Sequence, residues 1–166
     1  MPSGIELLLD AGMAETGTLH KLWIDAQEWG IGCLNRFSHV HMAPHLQTGI
    51  AGERAALFEL GRQGYIVVAR RWTSSRFRGD LDLIAWNNDL LCFIEVKTRT
   101  AHDIAPAESA VDEEKRRTMR KLARAYLRSF PSRERGRIST RFDVVSVYLL
   151  GGAPEFTFFP GAFGWD

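Results

Sequence analysis

In the stretch GDLDLIAWNNDLLCFIEVKTRT, from Gly79 to Thr100, Asp80 and Asp82 stand at the start, and Glu95 and Lys97 at the end, of two runs that are otherwise largely apolar, LIAW and LLCFI. Carboxylates gathered with a lysine are a set of parts for phosphodiester hydrolysis. Hard oxygen donors suit a divalent ion such as Mg²⁺. Such an ion polarises a phosphate and acidifies a bound water, while an ammonium orients that water or offsets developing charge. The stretch reads as a β-hairpin turning at NND, Asn87 to Asp89. Residues two apart share a face of a strand, so Asp80 lies with Asp82 and Glu95 with Lys97. A four-residue loop from Asn87 to Leu90 opposes Asp82 to Glu95. A two-residue loop at Asn87-Asn88 opposes Asp80 to Glu95 and leaves Asp82 diagonal. Both put all four charges on one face, and an odd loop splits them unless a bulge intervenes. Opposed carboxylates repel, and persist with a cation between them or with one protonated. An exposed hairpin end carrying a cross-strand Glu–Lys or Asp–Lys pair has the same spacing. LIAW and LLCFI argue instead for burial, where a charge needs a partner.

The surrounding elements must position these groups. AGERAALFELGRQG places Ala55, Ala56, Leu57, Phe58 and Leu60 on a helix that stops at Gly64, with Glu53 in its first turn. YIVVARRW reads as a strand and TSSRFRG as a basic loop before the hairpin. A helix is predicted from about Pro106 to Phe130, where Val111, Met119, Leu122, Ala123, Tyr126 and Phe130 recur at helical spacing. SRERGRIS reads as a flexible link, RFDVVSVYLL as a strand and EFTFF as a short last one. The order αβββαβ predicts an α/β sandwich: a mixed central β-sheet flanked by helices. Residues 1–47 read as an N-terminal extension, with a short helix in TLHKLWIDAQEWGIG and a linker in HVHMAPHLQTG, and 48–166 as the main domain. His39, His41 and His45 suggest metal ligation, but no Cys or acidic partner is near, so a loop with scattered histidines is the simpler reading.

The chain has 166 residues, 45% of them hydrophobic, and a formal net charge of +1. That length supports one domain with an appendage. Cys33 and Cys92 are far apart and form neither a paired metal motif nor a disulfide framework, which suits a reducing cytoplasm. No apolar run reaches membrane-spanning length, and the first residues make a poor signal peptide. The charge is unevenly spread. Met1 to Gln47 carries five acidic and two basic residues, whereas Lys115 to Arg141 carries eleven basic and one acidic. A cationic face beside a carboxylate cluster suits a polyanionic substrate. A solvated helix face with a basic loop has the same composition.

Asp82, a gap of twelve residues, then Glu95-Val96-Lys97 resembles the PD-(D/E)xK nuclease motif. The wider string is more specific. GERAALFELGRQGYIVVARRW, RGDLDLIAW, CFIEVKTRT, EEKRRTMRKLARAYL, RFDVVSVY and GAF occur in the order seen in the YraN-like family of predicted endonucleases, over roughly residues 47–163. The resemblance implies a restriction-endonuclease-like fold, similar also to Holliday-junction resolvases. It implies that Asp82 and Glu95 bind Mg²⁺ or Mn²⁺ with the backbone carbonyl of Val96, that Lys97 is the catalytic lysine, and that the helical Glu53 approaches the metal. Asp80 stands where the family has Glu, which keeps the charge and shortens the reach. Lys115 matches a recurring lysine near the start of the basic helix, where it would meet phosphate. Met42 opens MAPHLQTGIAGERAA, which resembles a family start, and is read as an alternative translation start.

The expected function is a metal-dependent endonuclease acting on branched or otherwise structured DNA, with DNA favoured over RNA. Arg70, Arg71, Arg76, Arg78, Lys115, Arg116, Arg117 and Arg120 are the expected phosphate contacts. Trp72 or Phe77 would stack on an unpaired base or cap the core edge. The alternatives are a nucleic-acid-binding module without turnover, and an interaction protein whose acidic N-terminal segment covers the basic face within one chain or in a homodimer.

Overall fold

The structure is a computed structural model that describes residues 43–101 and 111–166. The readings made for residues 1–42, including the first helix, the Met42 start and the acidic cover, fall outside the described residues.

Helix α1 runs Pro44–Arg62. It begins inside the stretch read as a linker, because Pro44 sits at the helix start, where its fixed φ is already helical and its missing N–H would have been unpaired. Gly64, at φ +87°, ends it. There the Gly64 N–H donates to Gly61 O and the Tyr65 N–H to Leu60 O, both at 3.0 Å. Strands β1 (Ile66–Ser74), β2 (Phe77–Asn87) and β3 (Leu90–Arg99) follow as antiparallel neighbours. Helix α2 spans Glu113–Leu127, so Val111, Asp112 and Arg128 to Phe130 fall outside it, and 106–110 of the expected helix lie outside the described residues. The Asp112 carboxylate caps it by accepting from the Lys115 N–H at 2.8 Å, and Glu113 and Glu114 complement the dipole of its first turn. The basic link folds in part into the four-residue helix α3, Ser132–Arg135. Strand β4 (Ser139–Tyr148) then lies parallel to β3, and β5 (Glu155–Phe163), longer than EFTFF alone, pairs antiparallel with β4.

The result is one five-stranded mixed sheet in the order β1-β2-β3-β4-β5. Each face carries its own core. Ala55, Ala56 and Leu60 of α1 pack on Leu83, Ala85, Cys92, Ile94, Val96, Val145 and Val147. Met119, Leu122 and Ala123 of α2 pack on Leu81, Ile84, Leu91, Phe93, Phe142 and Val144. This is the α/β sandwich with helices on both faces that the sequence predicts. Among the described residues no helix is long and apolar enough to cross a membrane.

Gly52 sets how closely α1 meets the sheet. A Cβ there would overlap the Thr98 side chain on β3, so α1 docks with bare backbone against that residue.

Candidate functional site

The β2–β3 hairpin turns tightly. Asn87 pairs with Leu90, and Asn88, at φ +52°, takes the left-handed conformation that asparagine tolerates. The pairs Trp86–Leu91 and Leu83–Ile94 give the register of the four-residue alternative. Asp82 and Glu95 stand one step past the last pair, where the two strands part. β3 continues against β4 as far as Arg99, so the splay leaves its β2-side edge open at Val96. Asp82 fills the gap: its Oδ2 accepts the Val96 N–H at 2.7 Å.

Glu95 is 3% exposed and holds two ammonium groups. Lys97 Nζ lies 3.0 Å from Oε1. Lys115 Nζ, from the first turn of α2, lies 2.8 Å from Oε2. The sequence grouped Lys115 with the phosphate contacts; the fold makes it a member of the carboxylate cluster. Only tertiary packing brings this residue, twenty positions downstream, over the α2-side face on which Glu95 and Lys97 lie.

A second ion cluster borders the first. Arg71 Nε lies 3.5 Å from Glu53 Oε2 and 3.8 Å from Asp80 Oδ2. The β1–β2 ladder skips a step here: Arg70 pairs with Leu83 and Trp72 with Leu81, while Arg71 between them has φ +45°. A non-glycine residue in that region is strained and persists only where its surroundings enforce it. Side-chain alternation in β2 also reverses across Asp82, since Leu81 belongs to the α2-side core and Leu83 to the α1-side core. This corrects the expectation that all four hairpin charges share one face with one another. Glu95 and Lys97 do share one; Asp80 turns to Arg71 and Glu53.

The two clusters sense each other. Burial raises the Glu53 carboxyl, Arg71 opposes the rise, and Asp80 adds to it. Burial and then the charge of Glu95 push Asp82 from 3.8 up to about 7, against the Val96 N–H bond and Lys115. Burial disfavours the Lys115 charge, but Glu95, followed by Asp82 and Asp80, outweighs burial and raises it.

Asp82 therefore has a signed effect on stability. In metal-free buffer the folded protein keeps this proton up to about pH 7, whereas the unfolded chain releases it near 3.8. The contribution is full below 3.8 and is lost as pH rises toward 7. Asp82→Asn keeps an acceptor for the Val96 N–H and removes the charge. Urea melts are expected to show it more stable than the native protein by roughly 1–3 kcal/mol at pH 8 and little changed at pH 4. An equal difference at both pH values would reject the assignment.

The donor set fits a hard divalent ion of the Mg²⁺ type. Apart from its ion pair with Lys115, buried Glu95 Oε2 has no hydrogen-bond partner among the described residues. Among those residues no three His, Cys, Asp or Glu side chains converge as a metal cage. Mg²⁺ does not require one, since it keeps several waters and takes one or two carboxylates with substrate oxygens. An open groove of about 430 Å³ continues the site on the α1 side, lined by His45, Glu53, Val96, Thr98 and Thr100 among others.

The expected phosphate contacts divide into two groups. Arg70, Arg71, Arg76 and Arg78 are exposed on β1, β2 and their turn. Arg117 is exposed and pairs with Glu113 at 3.5 Å. Arg116 donates from Nε to Val111 O at 2.9 Å, its guanidinium 5.6 Å from the Phe163 ring centre. Arg120 is a correction: it is buried, donates to Gly164 O at 2.8 Å and to Glu113 at 2.9 Å, and fastens the C-terminus to α2. Trp72 is partly buried and packs edge-to-face on Tyr126, with ring centres 5.3 Å apart, so it belongs to the core edge.

Fold and site define an α/β protein with a mixed five-stranded sheet, helices on both faces and a buried carboxylate–lysine cluster where two strands part. Residues 52–147 match the family described as "Uncharacterised protein family UPF0102", and the chain belongs to that family. It is 49% identical over 119 residues to a UPF0102 protein of Koribacter versatilis, covering 72% of this chain and 80% of that relative. It is 42% identical over 115 residues to one of Solibacter usitatus, covering 69% and 84%. With one of Myxococcus xanthus it shares 40% identity over 121 residues, covering 73% and 92%.

Proposed function

We propose that this chain is a metal-dependent phosphodiester hydrolase, an endonuclease of restriction-endonuclease-like fold that acts on branched or otherwise structured DNA in the cytoplasm. The observation that carries the reading is the buried Asp82–Glu95 pair, clasped by Lys97 and Lys115 and bordered by exposed arginines. Asp82 and Glu95, with the Val96 carbonyl, would hold Mg²⁺ or Mn²⁺. When bound, that ion supplies Lewis acidity toward the phosphate and a more acidic water. The remaining chemistry belongs to the chain. Lys97, with its side chain about one-third exposed, is anchored on Glu95 yet within reach of an incoming phosphate oxygen. It orients the attacking water or neutralises the charge that develops on the phosphate. Glu53, held by Arg71, borders the groove and adds a carboxylate to its lining. Arg70, Arg76 and Arg78 track the phosphodiester backbone without reading sequence.

The double ion pair on Glu95 also suits a closed structural cluster, which favours a second reading: a DNA-binding protein without turnover. One assay separates the two. Linear, flap and four-way DNA are incubated with the protein in Mg²⁺, in Mn²⁺ and in EDTA, alongside Glu95→Ala and Lys97→Ala. The nuclease reading expects metal-dependent cleavage, strongest on branched DNA, that falls by about 10²-fold in Lys97→Ala. Cleavage that survives both substitutions would sink the site, and binding without cleavage in either metal would establish the second reading.

A further inference from the structure

We infer that Lys115 is the resident cation of the Asp82–Glu95 pocket: its ammonium and a divalent ion are alternative occupants of one position, and arrival of the ion releases Lys115 from Glu95. This rests on the metal site proposed above. The two lysines on Glu95 are not equivalent. Lys97 grows from β3 itself, two residues beyond Glu95, and takes Oε1 at 3.0 Å. Lys115 reaches across from α2 and takes Oε2 at 2.8 Å, the oxygen that has no other hydrogen-bond partner among the described residues. The negative charges that act on Lys115 are Glu95, Asp82 and Asp80, in that order. The first two, Glu95 and Asp82, are the carboxylates a metal would draw together, so this ammonium already stands beside them. The Asp112 cap fixes the backbone of Lys115 and so aims its side chain at the cluster.

Exclusion follows from electrostatics. Two cations a few ångströms apart in a poorly solvated pocket repel strongly. Lysine suits an occupant that must leave, being a compact charge on a flexible stem. Its side chain is 26% exposed, so an exit to solvent is open. Once displaced, the same ammonium adds a positive charge where an incoming phosphate would lie. Metal binding and DNA binding then reinforce each other, each drawing Lys115 away from Glu95.

The test uses the full chain, Mn²⁺ alone and no DNA, read by titration calorimetry and by thermal shift. Lys115→Met removes the charge and keeps most of the volume. It is expected to bind Mn²⁺ at least about tenfold tighter than the native protein. It is also expected to melt lower without metal and to gain more from Mn²⁺. Lys97→Met, which clears the other oxygen, is expected to change the affinity by less than about threefold. Lys115→Arg should weaken Mn²⁺ binding, because a guanidinium grips a carboxylate through two parallel bonds, and this variant keeps the test decisive if Lys115→Met does not fold. Native-like Mn²⁺ affinity in Lys115→Met or in Lys115→Arg overturns the inference and leaves the nuclease reading standing. Tightening by Lys97→Met equal to that by Lys115→Met also overturns it. Absence of Mn²⁺ binding by the native protein and every variant overturns both.

Discussion

Glu95→Ala is expected to lower metal-dependent cleavage by about 10³-fold or more, the largest functional effect of any single substitution in this chain. Among the described residues Glu95 is the carboxylate that both lysines touch, and it is almost fully buried. Its removal also leaves two ammonium groups without their acceptor. Breaking a fully buried pair costs about 3–5 kcal/mol. Lys97 and Lys115 are 32% and 26% exposed and can turn toward water, so the expected loss here is smaller, roughly 1–3 kcal/mol. A drop in cleavage could therefore come from unfolding or from lost chemistry. Glu95→Gln separates these causes, because it keeps the volume and an oxygen acceptor while removing the charge a metal needs. Circular-dichroism melts should place Glu95→Gln nearer the native protein than Glu95→Ala, while cleavage rates should fall alike in both. Cleavage by Glu95→Gln within about tenfold of native would remove Glu95 from the metal site. DNA affinity measured in EDTA should stay level or rise in both variants, since each removes a negative charge from the binding face.

Gly52→Ala is expected to destabilise the fold while leaving every charged group in place. The added Cβ would overlap the Thr98 hydroxyl, and its next neighbours, Thr98 Cβ and Cγ2, would each lie at 2.8 Å. A β-branched residue on a strand cannot swing aside freely. Helix α1 must therefore lift from β3, opening the core that Ala55, Ala56 and Leu60 form with Ile94, Val96 and Val147. Overpacking of this kind costs about 1–3 kcal/mol, and more where backbone must move. Gly52→Ala should lower the melting temperature by roughly 2–12 °C. Thr98→Ala in the same chain should restore part of that loss, because it removes the hydroxyl and methyl groups and leaves only Cβ. Full native stability in Gly52→Ala alone would mean that α1 does not seat against Thr98. The lifted helix also carries Glu53 away from Arg71, so any role of Glu53 in catalysis should fail in this variant in proportion to the lost docking.

Much of the architecture was readable in local pattern. The period of two along a strand allowed two even registers, opposing either Asp82 or Asp80 to Glu95, and the structure takes the first. The same period puts Glu95 and Lys97 on one face, where they form an ion pair. Helical spacing found the apolar stripe of α2, including Met119, Leu122 and Ala123, and the order of helices and strands gave an α/β sandwich. These properties depend on neighbours within a few residues, so the sequence carries them by itself. Helix ends were harder to read. α1 begins at Pro44 because a proline there starts a helix as readily as it interrupts a linker, and α2 waits for the Asp112 cap.

The final composition of the site was a tertiary matter. Lys115 and Arg120 belong to the same basic run, and charge pattern cannot tell them apart. Packing of α2 against the sheet turns one ammonium onto Glu95 and ties the other guanidinium to Gly164 and Glu113. Alternation along β2 predicts that Asp80 lies with Asp82, but Arg71 at φ +45° breaks the ladder opposite Asp82 and draws Asp80 toward Glu53. Periodicity says which side of a strand a residue occupies. It does not say which helix covers that side or where two strands part, because both depend on how cores far apart in the chain fill their volumes. Strand period therefore places Lys97 beside Glu95 from local order, and packing of α2 on the sheet brings the second lysine, Lys115, to complete the charge.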